Sequence, residues 1–198
     1  MDIHHIPENV LLFNFVLYGC LPLWLVMGCL DYYCHRKSGI EKTSGLKESL
    51  YHAVMGIQIG IPVFLGLYFE INTLLFIVMF LVLVFHEWVA HHDVAYAMKT
   101  RKISMFETHV HSFLEVIPFV IVALIVLMNW SNFVDFVTFN WAGHCALQFK
   151  KHPLDLHYIT GYVALMLIAD VVPYMEEFWR CFRHRSHVAK AQSASEAG

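Results

Sequence analysis

Charge is what this chain has least of. Only 15% of its 198 residues are Asp, Glu, Lys or Arg, against about 25% in a soluble domain, which argues against an ordinary water-facing surface. The formal net charge of −3 gives no basic surplus, so no nucleic-acid partner is expected. No CxxC pair occurs among Cys20, Cys29, Cys34, Cys145 and Cys181. Three of these lie in or beside apolar runs, so buried free thiols are expected rather than a disulfide framework. The opening MDIHHIPEN lacks Lys and Arg, and the apolar run after it is too long for a cleavable signal peptide, so that run is read as a retained span. No internal repeat or second domain is visible.

What is present is apolar sequence, 58% of all residues. A helix rises 1.5 Å per residue and a hydrocarbon core is ~30 Å thick, so about 20 apolar residues span it. Val10 to Leu30 meets this without a charge, and further spans are expected over Tyr51 to Phe69, Leu74 to Ala90, Phe113 to Trp130 and His157 to Phe178. Between the last two, Ser131 to Lys151 is aromatic and weakly polar, suited to an interfacial or re-entrant segment. The expected fold is all-α: one polytopic membrane bundle of about five transmembrane helices over residues 1–183, with a disordered polar tail over 184–198. Placing the amino terminus outside and the carboxyl terminus inside puts eleven of thirteen Lys and Arg residues on one side, leaving only Lys150 and Lys151 opposite. The positive-inside rule therefore predicts N-out, C-in, in a bacterial inner membrane.

That orientation gathers the ionisable residues at the cytoplasmic ends of the helices. The first helix leaves through Asp31 and His35, and the second enters through Glu48 and His52. The third leaves through His86, His91, His92 and Asp93, and the fourth enters through Glu107, His109, His111 and Glu115. Asp31–His35, Glu48–His52 and Glu107–His111–Glu115 are spaced by four, so each set shares a helix face. Ionisable groups in a span are costly and need partners. Imidazoles mixed with carboxylates suit iron, manganese or zinc, and di-iron bundles draw Glu and His from several helices. These twelve residues are the expected metal ligands. Asp170 and Glu176 of the last helix are expected to steady the ligating histidines, and Glu87 or Glu115 is a candidate acid or base. His4, His5, His144, His152 and His157 fall at the far side as interfacial residues.

The run His86-Glu-Trp-Val-Ala-His91-His92, with His109-Val-His111, resembles the histidine boxes of the membrane fatty-acid hydroxylase and desaturase superfamily. Four residues separate His86 from the His91–His92 pair, where that superfamily has two or three, and carboxylates stand where it has further histidines. The resemblance, over residues 31–115, implies two irons and oxygen-dependent hydroxylation or desaturation of a lipid or other apolar, acyl-chain substrate. It also implies a separate electron donor. Two other readings remain open: a zinc-dependent membrane hydrolase, and a non-enzymatic haem-carrying, metal-binding or transport protein.

Overall fold

The structure is a computed structural model that describes residues 6–142 and 145–196. Its helices are α1 (Glu8–Ser38), α2 (Leu46–Tyr68), α3 (Thr73–Thr100), α4 (Met105–Met128), the short α5 (Trp130–Val137), and α6, which begins at Leu156 and continues to Glu196. Among the described residues, α1, α2, α3, α4 and α6 are long and apolar enough to cross a membrane. Side chains such as Ile57, Val84, Phe85 and Ile168 lie exposed on their outer faces. In water such a surface would aggregate; in a bilayer it is the lipid-facing surface.

The five long helices close into a ring. Helix α1 packs on α4 and α6, α4 on α3, α3 on α2, and α2 on α6. Each turns one stripe inward at alternating spacings of three and four. On α3 the stripe is Met79, Leu83, His86, Ala90, Asp93 and Ala97, all buried. On α1 it includes Leu21, Gly28, Asp31 and His35. The inward stripe is apolar through most of its length and turns polar only at one end, so the bundle packs like an oily core with an ionised cap.

Local chemistry sets the helix ends that carry the site. Gly39 sits in the left-handed region (φ 64°) and its N–H closes α1 on His35 O at 3.1 Å, the usual glycine stop. Helix α4 starts with a capping box: Ser104 accepts from Glu107 N at 3.1 Å, and Glu107 reaches back to Ser104 N. Two π-turns interrupt the ring, at Val16–Cys20 in α1 and Leu167–Val171 in α6. The second directly precedes Pro173, which has no amide hydrogen to give to Ala169 O. That carbonyl instead accepts from Cys29 Sγ at 3.4 Å.

The stretch after α4 forms α5, whose Phe133 and Phe136 pack on Phe76 and Phe80 of α3. Beyond α5, Phe149 forms an isolated β-bridge with Phe69, at the far end. The polar tail departs from expectation. It is helical through Glu196 as a continuation of α6, where Ala189, Lys190, Ala191 and Gln192 favour helix even without packing; residues 197 and 198 lie outside the described residues.

Replacing Ser104 with Ala removes one side of the capping box and is expected to lower stability by about 1 kcal/mol. Thermal unfolding in detergent would show it, and an unchanged midpoint would mean the cap contributes nothing.

Candidate metal centre

At the polar end of the ring, seven of the twelve expected ligands come together: Asp31 and His35 from α1, Glu48 and His52 from α2, Asp93 from α3, and Glu107 and His111 from α4. Asp31, His35, Glu48, His52, Asp93 and Glu107 are all buried. The three i, i+4 pairs read from the sequence each present an oxygen and an imidazole inward. Asp31, His35, Glu107 and His111 each offer an atom within 4.8 Å of the others, and Glu48, His52 and Asp93 do the same beside them.

Glu177 of α6 organises the two groups. Its Oε2 lies 3.0 Å from His35 Nδ1 and its Oε1 lies 2.8 Å from His52 Nδ1. One fully buried carboxylate thus clamps imidazoles from two helices, which stack with ring centroids 4.4 Å apart and planes 7° from parallel. An ionised carboxylate accepts only, so both Nδ1 atoms donate to Glu177 and both Nε2 atoms face the cluster. Neither Nε2 makes a hydrogen bond. The nearest oxygens are Asp31 Oδ1 at 3.4 Å, Glu107 Oε1 at 3.7 Å and Glu48 Oε1 at 4.0 Å from His35, and Asp93 Oδ2 at 3.4 Å from His52. Further contacts fix the rest. His111 Nε2 is 2.8 Å from Asp31 Oδ1, and Tyr174 donates to Asp31 Oδ2 at 3.0 Å.

Buried carboxylates outnumber the permanent cations. Five buried carboxylates (Asp31, Glu48, Asp93, Glu107 and Glu177) face one guanidinium, Arg101, from the α3–α4 connection. Arg101 bonds Glu48 at 2.6 Å and Glu107 at 2.5 Å. Burial opposes its charge, but the hydrogen bonds and the charges of Glu48 and Glu107 outweigh this and raise its pKa. With neutral imidazoles, four of the five negative charges remain. Two divalent cations would cancel them.

No family model, curated protein or solved structure matches the chain. The reading of the site therefore rests on its geometry.

The remaining expected residues separate by position. His91, His92 and His109 are exposed, and the Nδ1 atoms of His92 and His109 are satisfied by their own helices, at Trp88 O and Met105 O. They sit off the inward stripe that carries Asp93 and Glu107. His86 and Glu115 lie deeper, on the wall of a cavity below the cluster, while Glu87 is half-buried beside it. Of the histidines that carried the family resemblance, only His111 belongs to the cluster. Asp170 lines the cavity and bonds no histidine. Glu176 turns outward to Tyr32, Arg36 and Arg180; the carboxylate that steadies the histidines is its neighbour, Glu177. His4, His5 and His144 lie outside the described residues.

Glu177, Tyr174 and Arg101 were missed by the sequence reading. Asp170, Tyr174, Glu177 and Cys181 run at spacings of four, three and four, so the stripe could have pointed to Glu177 over Glu176. Arg101 gave no such signal, since a loop arginine beside Lys99 and Lys102 reads as a topology charge.

Replacing Arg101 with Gln leaves two carboxylates without their cation and is expected to cost about 3–5 kcal/mol. Lys should recover only part, since it lacks the planar fork. Chemical unfolding of the three proteins in detergent tests this; equal stabilities would place Arg101 outside the buried network.

Proposed function

We propose that this protein is a membrane-embedded metalloenzyme with two transition-metal ions, most suitably iron, that oxidises a lipid or other apolar substrate. The observation that carries the reading is the pair of buried, parallel imidazoles whose Nδ1 atoms are fixed by Glu177 and whose Nε2 atoms have no hydrogen-bond partner. A ligating histidine shows this arrangement, with its other nitrogen donating to a carboxylate. Were both rings protonated instead, each Nε2–H would face cluster oxygens at 3.4 Å or beyond, longer than an ordinary hydrogen bond.

The donor set supports the choice of metal. One group would supply Asp31, His35, Glu107 and His111, the other Glu48, His52 and Asp93. Glu48 also lies 4.0 Å from His35, between the groups. Carboxylate-rich sites with a few imidazoles, built from four helices of a bundle, suit iron or manganese. Zinc would use the same ligands less fully.

Two bound irons would supply reductive activation of oxygen. Hydroxylation consumes O2, two electrons and two protons, placing one oxygen atom in a C–H bond and releasing the other as water. A separate electron donor would provide the electrons. The chain's own part is binding and exclusion. A cavity of about 870 Å³, bordered by all five long helices, reaches the cluster at Asp31, His52, Asp93 and His111. The rest of its wall is mainly apolar, interrupted by His86, Glu115, Asp170 and Tyr174. Glu115 borders the same space and is placed to hold a proton there. The positive-inside bias supports a site on the cytoplasmic side of a bacterial inner membrane.

Elemental analysis of protein purified without added metal is expected to give about two transition-metal ions per chain, with iron dominant; fewer than one would sink the reading. Replacing His35 and His52 together with Ala should abolish binding, whereas Ala at His91, His92 and His109 should leave the metal content intact. Glu177→Gln should weaken metal affinity about 10–100-fold, and Glu176→Gln should not. Equal behaviour of those two variants would contradict the role given to Glu177.

A further inference from the structure

The large cavity contains a carboxylate that the metal centre does not use. Asp170 is 8% exposed, and neither side-chain oxygen has a hydrogen-bond partner. It projects from the π-turn of α6 and lies against α1 where Gly28 has no side chain, since a Cβ there would stand 2.6 Å from Asp170 Oδ1. Outside the cluster, two other buried polar atoms without partners border the same cavity: Trp24 Nε1, one turn from Gly28, and His86 Nδ1 on α3. Unpartnered buried polar atoms are rare in folded proteins. Several around one cavity specify the polar group that it takes.

The rest of the wall specifies an apolar tail. On α2 it runs from His52 through Gly56, Ile59 and Gly60 to Val63, about 16 Å along the helix axis. A Cβ at Gly56 or Gly60 would meet nothing within 4 Å, so these glycines leave open space. A second cavity, of about 390 Å³, shares Trp24, Ile59 and Val63 with the first and prolongs it toward the far end. Between α2 and α6 the rim carries Ile57, Met175 and Trp179, which are 66%, 66% and 59% exposed on the lipid-facing surface. The opening is lateral, toward the bilayer.

We infer that the cavity binds a long-chain amphiphile whose hydrogen-bond donor, a hydroxyl or an amine, is held by Asp170, with its hydrocarbon tail running past Gly56 and Gly60. In its ionised form Asp170 only accepts, and it then selects a donor and repels a fatty-acid carboxylate. Gly28 precedes Asp31 by one turn of α1, about 4.5 Å along the axis. Asp170 therefore holds the polar head beside the cluster, and the part of the chain presented there is the head end. The inference rests on the proposed metal centre only for the meaning of that placement; the binding itself is independent of it.

The test measures binding of radiolabelled 1-hexadecanol, hexadecylamine and palmitate to the full chain in nanodiscs, with metal content and melting temperature followed in every variant. The alcohol or the amine should bind once per chain at least tenfold more tightly than palmitate. Amine alone would select a cationic head, and alcohol alone a neutral one. Asp170→Leu should weaken the preferred probe at least tenfold, and Asp170→Asn should weaken the amine more than the alcohol. Gly60→Leu should weaken every probe that binds while leaving metal content unchanged. Palmitate binding as tightly as the donors, or an Asp170→Leu protein that binds as before, would overturn the inference. Metal without donor binding would remove this inference and leave the metal centre standing. Donor binding without metal would do the reverse.

Discussion

One buried carboxylate holding two imidazoles is the contact on which the polar end of this bundle depends. Glu177 reaches across from α6 to His35 on α1 and His52 on α2, two helices adjacent in sequence whose principal neighbours in the ring lie elsewhere. The clamp fixes both ring planes and the direction in which both Nε2 atoms point. The carboxylates of four helices are then arranged around those nitrogens. Without the clamp, two buried histidines would be free to find protons and partners of their own.

The site is built against the preferences of its surroundings. Five carboxylates are gathered where the chain is otherwise apolar, and Arg101 offsets only one. Their position limits the cost. They stand at the polar end of the ring, toward the boundary of the hydrocarbon, and the apolar stretch of each helix carries the insertion. The same division suits the proposed chemistry, since an oily cavity that meets ionised groups at one end can orient an amphiphile and keep water from it.

Much of this was legible in the sequence because helical periodicity is short-range. Asp31–His35, Glu48–His52 and Glu107–His111 are spaced by four, and that spacing alone puts each pair on one face. The apolar runs likewise dictated five spans. Legibility failed where direction around the axis mattered. His91 and His92 resemble a metal-binding box, but Asp93 holds the inward stripe and turns them out to the surface. Glu176 and Glu177 are chemically alike, and it is the stripe shared with Asp170, Tyr174 and Cys181 that turns Glu177 to the histidines and leaves Glu176 to Arg36 and Arg180.

By itself the sequence determined the class of fold, the number of spans and the residue types that would crowd one end, because these follow from hydropathy, helix rise and the spacing of like faces. Tertiary structure alone decided which of twelve ionisable residues meet, that Arg101 folds back between Glu48 and Glu107, and that Asp170 faces a cavity rather than a histidine. Those outcomes depend on how five helices rotate and close into a ring. Rotation is set by the summed packing of every inward stripe, and no single segment of the chain encodes it.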